Sequence, residues 1–167
     1  MADTIGYVTL AQANEYIATH YTSTDSLRVT WESLSNADKS SLLLKSFDTI
    51  EILPFAGRKL VAGQSNAFPR YPDQEVPQAV LAAQIENALS ASDAAASEEA
   101  AHYGRLWQFG VQSYSIGNLS EHISEGAWST GNMSSAAASG LISAVATRLL
   151  KPYLMGSYRV VGKRCCR

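Results

Sequence analysis

The sequence predicts a mainly α protein: a helical bundle of about four to five helices with a small β-hairpin and an extended C-terminal arm. Three observations carry that prediction. Apolar residues recur at helical spacing in separate stretches bounded by capping residues or prolines. The stretch from Leu106 to Ile123 changes to β-formers with partial alternation. The last residues hold too few apolar groups to pack a core of their own. Residues 1–154 therefore read as one helical domain with the hairpin embedded near 106–124, and residues 155–167 as an extended basic arm.

Taken in order, Tyr7-Val8 is a short extended lead-in. Thr9 has the place of an N-cap with Gln12 as the other half of a capping box, which predicts a helix over about 10–20. Residues 22–30 are polar and turn-like, and Trp31 opens a short helical turn. Ser35 is a second N-cap, with Asp38 in the first turn where the helix dipole favours an acid. Leu43, Phe47 and Ile50 then mark one helical face, and Pro54 ends it. From Phe55 to Val76, Gly57, Gly63 and Phe68-Pro69-Arg70-Tyr71-Pro72 punctuate a long ordered loop that keeps Phe55, Leu60, Phe68 and Tyr71 as packing groups. The simplest reading of Phe68-Pro69-Arg70 is a rigid loop packed on the core, with Arg70 paired to an acid.

Val76-Pro77 starts a third helix with Leu81, Ile85, Ala88 and Leu89 inward, and an Ala-rich stretch with Glu98 and Glu99 continues or restarts it to about 102. Leu106 to Ile116, with Trp107, Phe109, Val111 and the run Ser113-Tyr114-Ser115-Ile116, is expected to pair with Leu119 to Ile123 across a Gly117-Asn118 turn. Residues 126–140 are Gly-, Ser- and Ala-rich and uncharged, a loop passing into a helix over 141–151. Ile142, Val145, Leu149 and Tyr153 form its amphipathic stripe, and Pro152 marks its end. The tail from Met155 to Arg167 is expected to become ordered on a partner.

Composition narrows the class. Apolar residues make up 46% and charged residues 17%, which fits a globular chain rather than a disordered one. No apolar run approaches the roughly 20 residues needed to span a bilayer, and the start lacks the pattern of a signal peptide. Synthesis and residence in a cytosol are expected, with no membrane partner. The adjacent Cys165 and Cys166 make a poor internal disulfide and lack zinc-ligand spacing. Net charge is −2, yet residues 1–125 carry all 15 acids and seven basic residues. Residues 126–167 carry no acid and six basic residues: Arg148, Lys151, Arg159, Lys163, Arg164 and Arg167. The two parts should face different partners.

No catalytic, cofactor or metal residue is indicated, and an enzyme is not expected. His20, His102 and His122 share no motif, and no nucleophile elbow or His-Glu-x-x-His helix occurs. Gly57-Arg58-Lys59 lacks the remaining residues of a P-loop. Glu98-Glu99 and Glu121/Glu125 are explained more simply as surface acids. The basic tail with Tyr153 and Tyr158 could contact phosphates and bases, but the same residues suit protein docking equally well. Tyr158-Arg159-Val160-Val161 could also add a strand to an exposed sheet edge.

The ordered landmarks Tyr7-Val8-Thr9, Ala13, Tyr16, Trp31, Lys39, Leu42, Ile50, Phe55-x-Gly57-x-Lys59, Phe68-Pro69-Arg70, Val76-Pro77, the stretch 110–115 and Leu149 to Tyr153 resemble the tailed-bacteriophage head–tail connector (neck adaptor) family, many members of which carry a DnaT-like label. The resemblance covers most of residues 7–154. The chain departs from it in Phe68 for a frequent tryptophan, in Glu51 for a frequent aspartate and in the long stretch 126–140.

The resemblance implies a structural subunit of a ring, usually of twelve copies, in the virion neck. Its partners would be the portal protein and a downstream neck or tail protein (stopper, tail terminator or tail tube/nozzle), with genomic double-stranded DNA passing through the lumen. It assigns portal binding to Arg148, Lys151, Tyr153, Leu154, Tyr158, Arg159, Val160, Val161, Lys163 and Arg164. It assigns inter-subunit or downstream contact to Phe68, Arg70, Tyr71 and Tyr114. Residues 155–167 then become a docking arm. The alternative, from a different class, is a single-stranded-DNA-binding replication accessory, motivated by the basic tail with tyrosines.

Overall fold

The computed structural model describes residues 4–93, 98, 113–116, 119–122 and 141–155. Among them the protein is mostly α-helical with small antiparallel β-hairpins. The chain opens on a hairpin of β1 (Thr4–Ile5) and β2 (Val8–Thr9), in register Thr4 to Thr9 and Ile5 to Val8. Only the second strand is foreshadowed by the extended lead-in at Tyr7-Val8. Gly6 makes the turn at φ +68°, and a Cβ there would lie 2.5 Å from the Phe47 ring, so both backbone and neighbour require glycine.

Helix α1 (Leu10–His20) starts at the expected capping box. The Gln12 N–H donates to the Thr9 hydroxyl at 3.2 Å, and the Thr9 N–H donates to Gln12 Oε1 at 2.8 Å. Helix α2 (Ser26–Ser33) begins five residues before the expected turn at Trp31. The reason is Asp25, whose carboxylate accepts from the Leu27 N–H at 3.0 Å and caps the helix. Trp31 is buried, and its indole N–H donates to Asn14 Oδ1 at 3.0 Å. Helix α3 (Asn36–Glu51) is capped by Ser35, which accepts from the Asp38 N–H at 3.2 Å.

Helix α4 (Gln78–Ala91) follows directly on Pro77, which stands at the cap position rather than inside the helix. It is the central strut. Val80 and Ala83 belong to one core with Ile50, Leu53, Phe55, Phe68, Ala146 and Leu150. Ile85, Ala88 and Leu89 belong to a second core with Val8, Ala13, Ile17, Trp31 and Leu43. A helix buried on both sides cannot turn its polar residues to water, so they find partners inside.

Strands β3 (Ser113–Ile116) and β4 (Leu119–His122) pair antiparallel, Ser113 with His122 and Ile116 with Leu119, at the place read from sequence. The last helix, α5 (Ala144–Leu150), is shorter than the expected 141–151 because Ser143 caps it, accepting from the Ala146 N–H at 3.2 Å. Ala146 and Leu150 are its fully buried residues, and of the expected stripe Leu149 and Tyr153 pack half-buried against the first core; the small Ala146 side chain lets α5 lie close to α4. A 3₁₀ turn over Lys151–Tyr153 ends in a β-bridge between Phe55 and Leu154. The expected continuation of the third helix to 102 lies largely outside the described residues, as do Trp107 and Phe109, the stretch 126–140 and the arm from 156 onward.

Candidate nucleic-acid interface

The loop between α3 and α4 has two sides with different chemistry. Its inner side is aromatic. Phe68 packs edge-on against Phe55, with centroids 4.7 Å apart, and against Tyr7 and Tyr153 at 6.1 and 5.9 Å. Its outer side is cationic: Arg58 and Lys59 are exposed, and no acid occurs between Glu51 and Asp73.

Backbone pairing holds the two arms of the loop together. Lys59 bridges Arg70, the Leu60 N–H donates to the Pro69 carbonyl at 3.1 Å, and the Tyr71 N–H donates to the Arg58 carbonyl at 3.0 Å. Arg70 acts as the clasp. Its guanidinium donates to the carbonyls of Ala56 (2.9 Å), Phe55 (3.1 Å), Ala67 (3.3 Å) and Gly57. The expected pairing of Arg70 with an acid is therefore corrected. The loop carries no acid between Glu51 and Asp73, and the N–H donors of the guanidinium are instead taken up by the carbonyls that converge on it. Gly63, at φ +88°, makes the tip turn, and Lys59 Nζ donates to the carbonyls of Gln64 and Ser65 at 3.0 Å each.

At the α3 end, Glu51 fixes the inner side. Its carboxylate accepts from the Tyr7 hydroxyl and, at 2.7 Å, from the Ala67 N–H, while the Tyr7 oxygen accepts from the Phe68 N–H at 3.1 Å. Burial, then the bond to Glu51, pushes the Tyr7 phenol well above its ordinary range.

The outer side ends in Tyr71, which is 58% exposed. The Arg58 guanidinium lies over its ring, 4.9 Å from the centroid, a cation–π contact. Arg58 and Lys59 have no carboxylate partner, since among the described residues the ion pair found is Arg28 with Glu32 at 2.7 Å. The C-terminal turn joins this loop: the Ala56 N–H donates to the Tyr153 carbonyl at 2.7 Å, and the Met155 N–H to the Pro54 carbonyl at 2.8 Å. The acid-free C-terminal segment thus leaves the body beside the acid-free loop. An unbroken absence of acids over 52–72, with three cations, was the sequence signal that could have marked the loop.

The sequence-selected residues fall in different places. Phe68 is buried, Arg70 is half-buried and engaged as above, and Tyr71 is exposed. Arg148 and Lys151 are exposed at the end of α5, whereas Tyr153 and Leu154 are half-buried against the first core. Tyr114 lies in β3, with its side chain outside the described residues, and Tyr158, Arg159, Val160, Val161, Lys163 and Arg164 lie outside them altogether.

A concavity of about 410 Å³ runs between α1 and α4. Val8, Leu81 and Ile85 line it together with Glu15 and His20, and no lysine or arginine does. It therefore has no fixed cation for a phosphate backbone. Among the described residues no group of His, Cys, Asp and Glu is placed to hold a metal ion, and no helix is long and apolar enough to cross a membrane.

No curated protein and no solved structure matches the chain. A family model described as "Putative DnaT-like ssDNA binding protein" matches residues 2–164. This finding overturns the head–tail connector reading and its place in a neck. The portal, the downstream neck or tail protein, the dodecameric ring and the lumen for genomic DNA fall with it. Short landmarks such as Phe68-Pro69-Arg70 hold a loop on the core, and a packing motif alone does not carry function. With nearly its whole length matched, the chain belongs to the DnaT-like single-stranded-DNA-binding family.

Proposed function

We propose that this protein binds single-stranded DNA as an accessory factor and performs no catalysis of its own. The family match over residues 2–164 carries the reading, because the family is described by that ligand. The charge layout supports it. Residues 1–125 have a net charge of −8, which disfavours indiscriminate wrapping of DNA by the body. Among the described cations without a carboxylate partner, Lys39 and Lys45 stand on α3, whereas Arg58 and Lys59 are exposed on an acid-free loop and Arg148 and Lys151 are exposed beside the C-terminal turn bonded to it. A strand would therefore approach that side, with cations on phosphates and exposed aromatic rings on bases.

The test is a fluorescence-anisotropy titration of the full chain with an oligothymidine and with a duplex of equal length, over a series of salt concentrations. The single strand is expected to bind more tightly, with the logarithm of the association constant falling linearly with the logarithm of salt. Absence of single-strand binding at the lowest salt would overturn the proposal.

A further inference from the structure

Resting on the single-stranded-DNA reading, and narrowing it to one place, the structure assigns base stacking to the ring of Tyr71 and phosphate contact to its neighbour Arg58. Among the described Phe, Tyr and Trp side chains Tyr71 is the most exposed, at 58%, and it stands on the acid-free loop that also exposes Val61. Its aromatic contact is with the Arg58 guanidinium over one ring face. An unpaired base can cover the other. Arg58 keeps its N–H donors for phosphate, because no carboxylate holds them.

The support beneath is rigid. The Tyr71 N–H is bonded to the Arg58 carbonyl, so ring and cation are carried on paired backbone. Arg70 is then a positioning residue: its four carbonyl bonds face inward and fix the loop from which Tyr71 projects. Such a platform selects single strands by a simple mechanism. A duplex offers its phosphates to Arg58 but keeps its bases stacked on each other, so only an unpaired base gains the ring contact.

The experiment uses the full chain, a labelled oligothymidine and a duplex of the same length. Tyr71→Ala is expected to weaken oligothymidine binding about tenfold and to leave duplex binding unchanged. Tyr71→Leu, which keeps apolar bulk without a flat ring, gives the same loss, and Tyr71→Phe binds as the unsubstituted chain does. Arg58→Ala lowers the magnitude of the single-strand salt slope by about 0.7, the change for one phosphate contact. Tyr71 is over half exposed, so the melting temperatures of its variants should match the parent's. Unchanged oligothymidine affinity in Tyr71→Ala, or an equal loss on single strand and duplex, overturns the assignment while leaving the broader reading intact. A parent chain that binds no oligothymidine overturns both.

Discussion

Two regions of this molecule hold polar side chains for opposite ends. On α4, Gln84, Glu86 and Asn87 are buried and every one of them is used internally. Gln84 accepts from the Tyr7 N–H at 3.1 Å and donates to the carbonyls of Ile5 (2.8 Å) and Leu43 (3.0 Å). Glu86 accepts from the hydroxyls of Tyr16 (2.9 Å) and Tyr21 (2.6 Å). Asn87 donates to Ser46 Oγ at 3.3 Å and accepts from the Ile142 N–H at 2.8 Å. Three polar residues thus tie the N-terminal hairpin, α1, α3 and the lead into α5 to one strut. On the loop 55–72 the clasp Arg70 faces inward in the same way, but the Arg58 guanidinium lies over the Tyr71 ring with no carboxylate partner among the described residues. The difference teaches where to look for function: polar groups satisfied by the fold hold it, and cations without carboxylate partners, set on rigid backbone, are available to a ligand.

The sharpest way to break this contrast is Gln84→Leu. It leaves the Tyr7 N–H and the Ile5 carbonyl without partners in the interior and should cost roughly 3 kcal/mol of stability, read by urea denaturation. The variant that remains folded should bind oligothymidine as before.

Arg70→Ala comes next and blurs the boundary between the regions. Loss of a charged clasp on four carbonyls should lower stability by about 2 kcal/mol and weaken oligothymidine binding as well, because the loop loses its shape. Arg70→Lys should recover little, since a point charge cannot span the same carbonyls. Thr9→Ala, remote from the loop, removes one cap and should cost about 1 kcal/mol with no change in DNA affinity.

The smallest effect at neutral pH belongs to Glu86. Burial, then its hydrogen bond to Glu86, pushes the Tyr16 phenol up to about 12 from 10.0, and the same causes raise Tyr21. Because the folded value lies above the unfolded one, this stabilisation is fully present below pH 10. It is lost as pH rises through 12, where the unfolded chain has already released its proton. Absorbance titration at the phenolate band should show late-ionising tyrosines. Glu86→Gln should bring two of them, Tyr16 and Tyr21, down towards the ordinary range.

These contrasts also mark what the sequence could disclose. Caps were legible because they are local: Thr9 with Gln12, and Ser35 with Asp38, declare themselves within three residues. So did the mostly helical class and the hairpin at 113–122. Asp25 is a sound N-cap hidden among the polar, turn-like residues 22–30. The face of α5 is only half legible: Leu149 and Tyr153 of the apolar stripe do pack on the core, but the deepest contact is Ala146, whose small side chain favours close packing on α4 and carries little hydrophobic signal. Gln84, Glu86 and Asn87 look like surface residues in any periodicity count. Their partners, 41 to 79 positions away in the bonds linking them to Ser46, Leu43 and Ile5, exist only in three dimensions. The loop's packing groups Phe55 and Phe68 are legible as isolated aromatics between glycines and prolines, whereas the pairing of Arg58 with Tyr71, 13 positions apart, exists only once the loop is folded.

The most direct test is photocrosslinking of the full chain to an oligonucleotide carrying 5-iodouracil, followed by mass spectrometry of the linked peptide. The account predicts a crosslink within residues 55–72, on Tyr71. Crosslinks confined to other segments, with none in that loop, would contradict it.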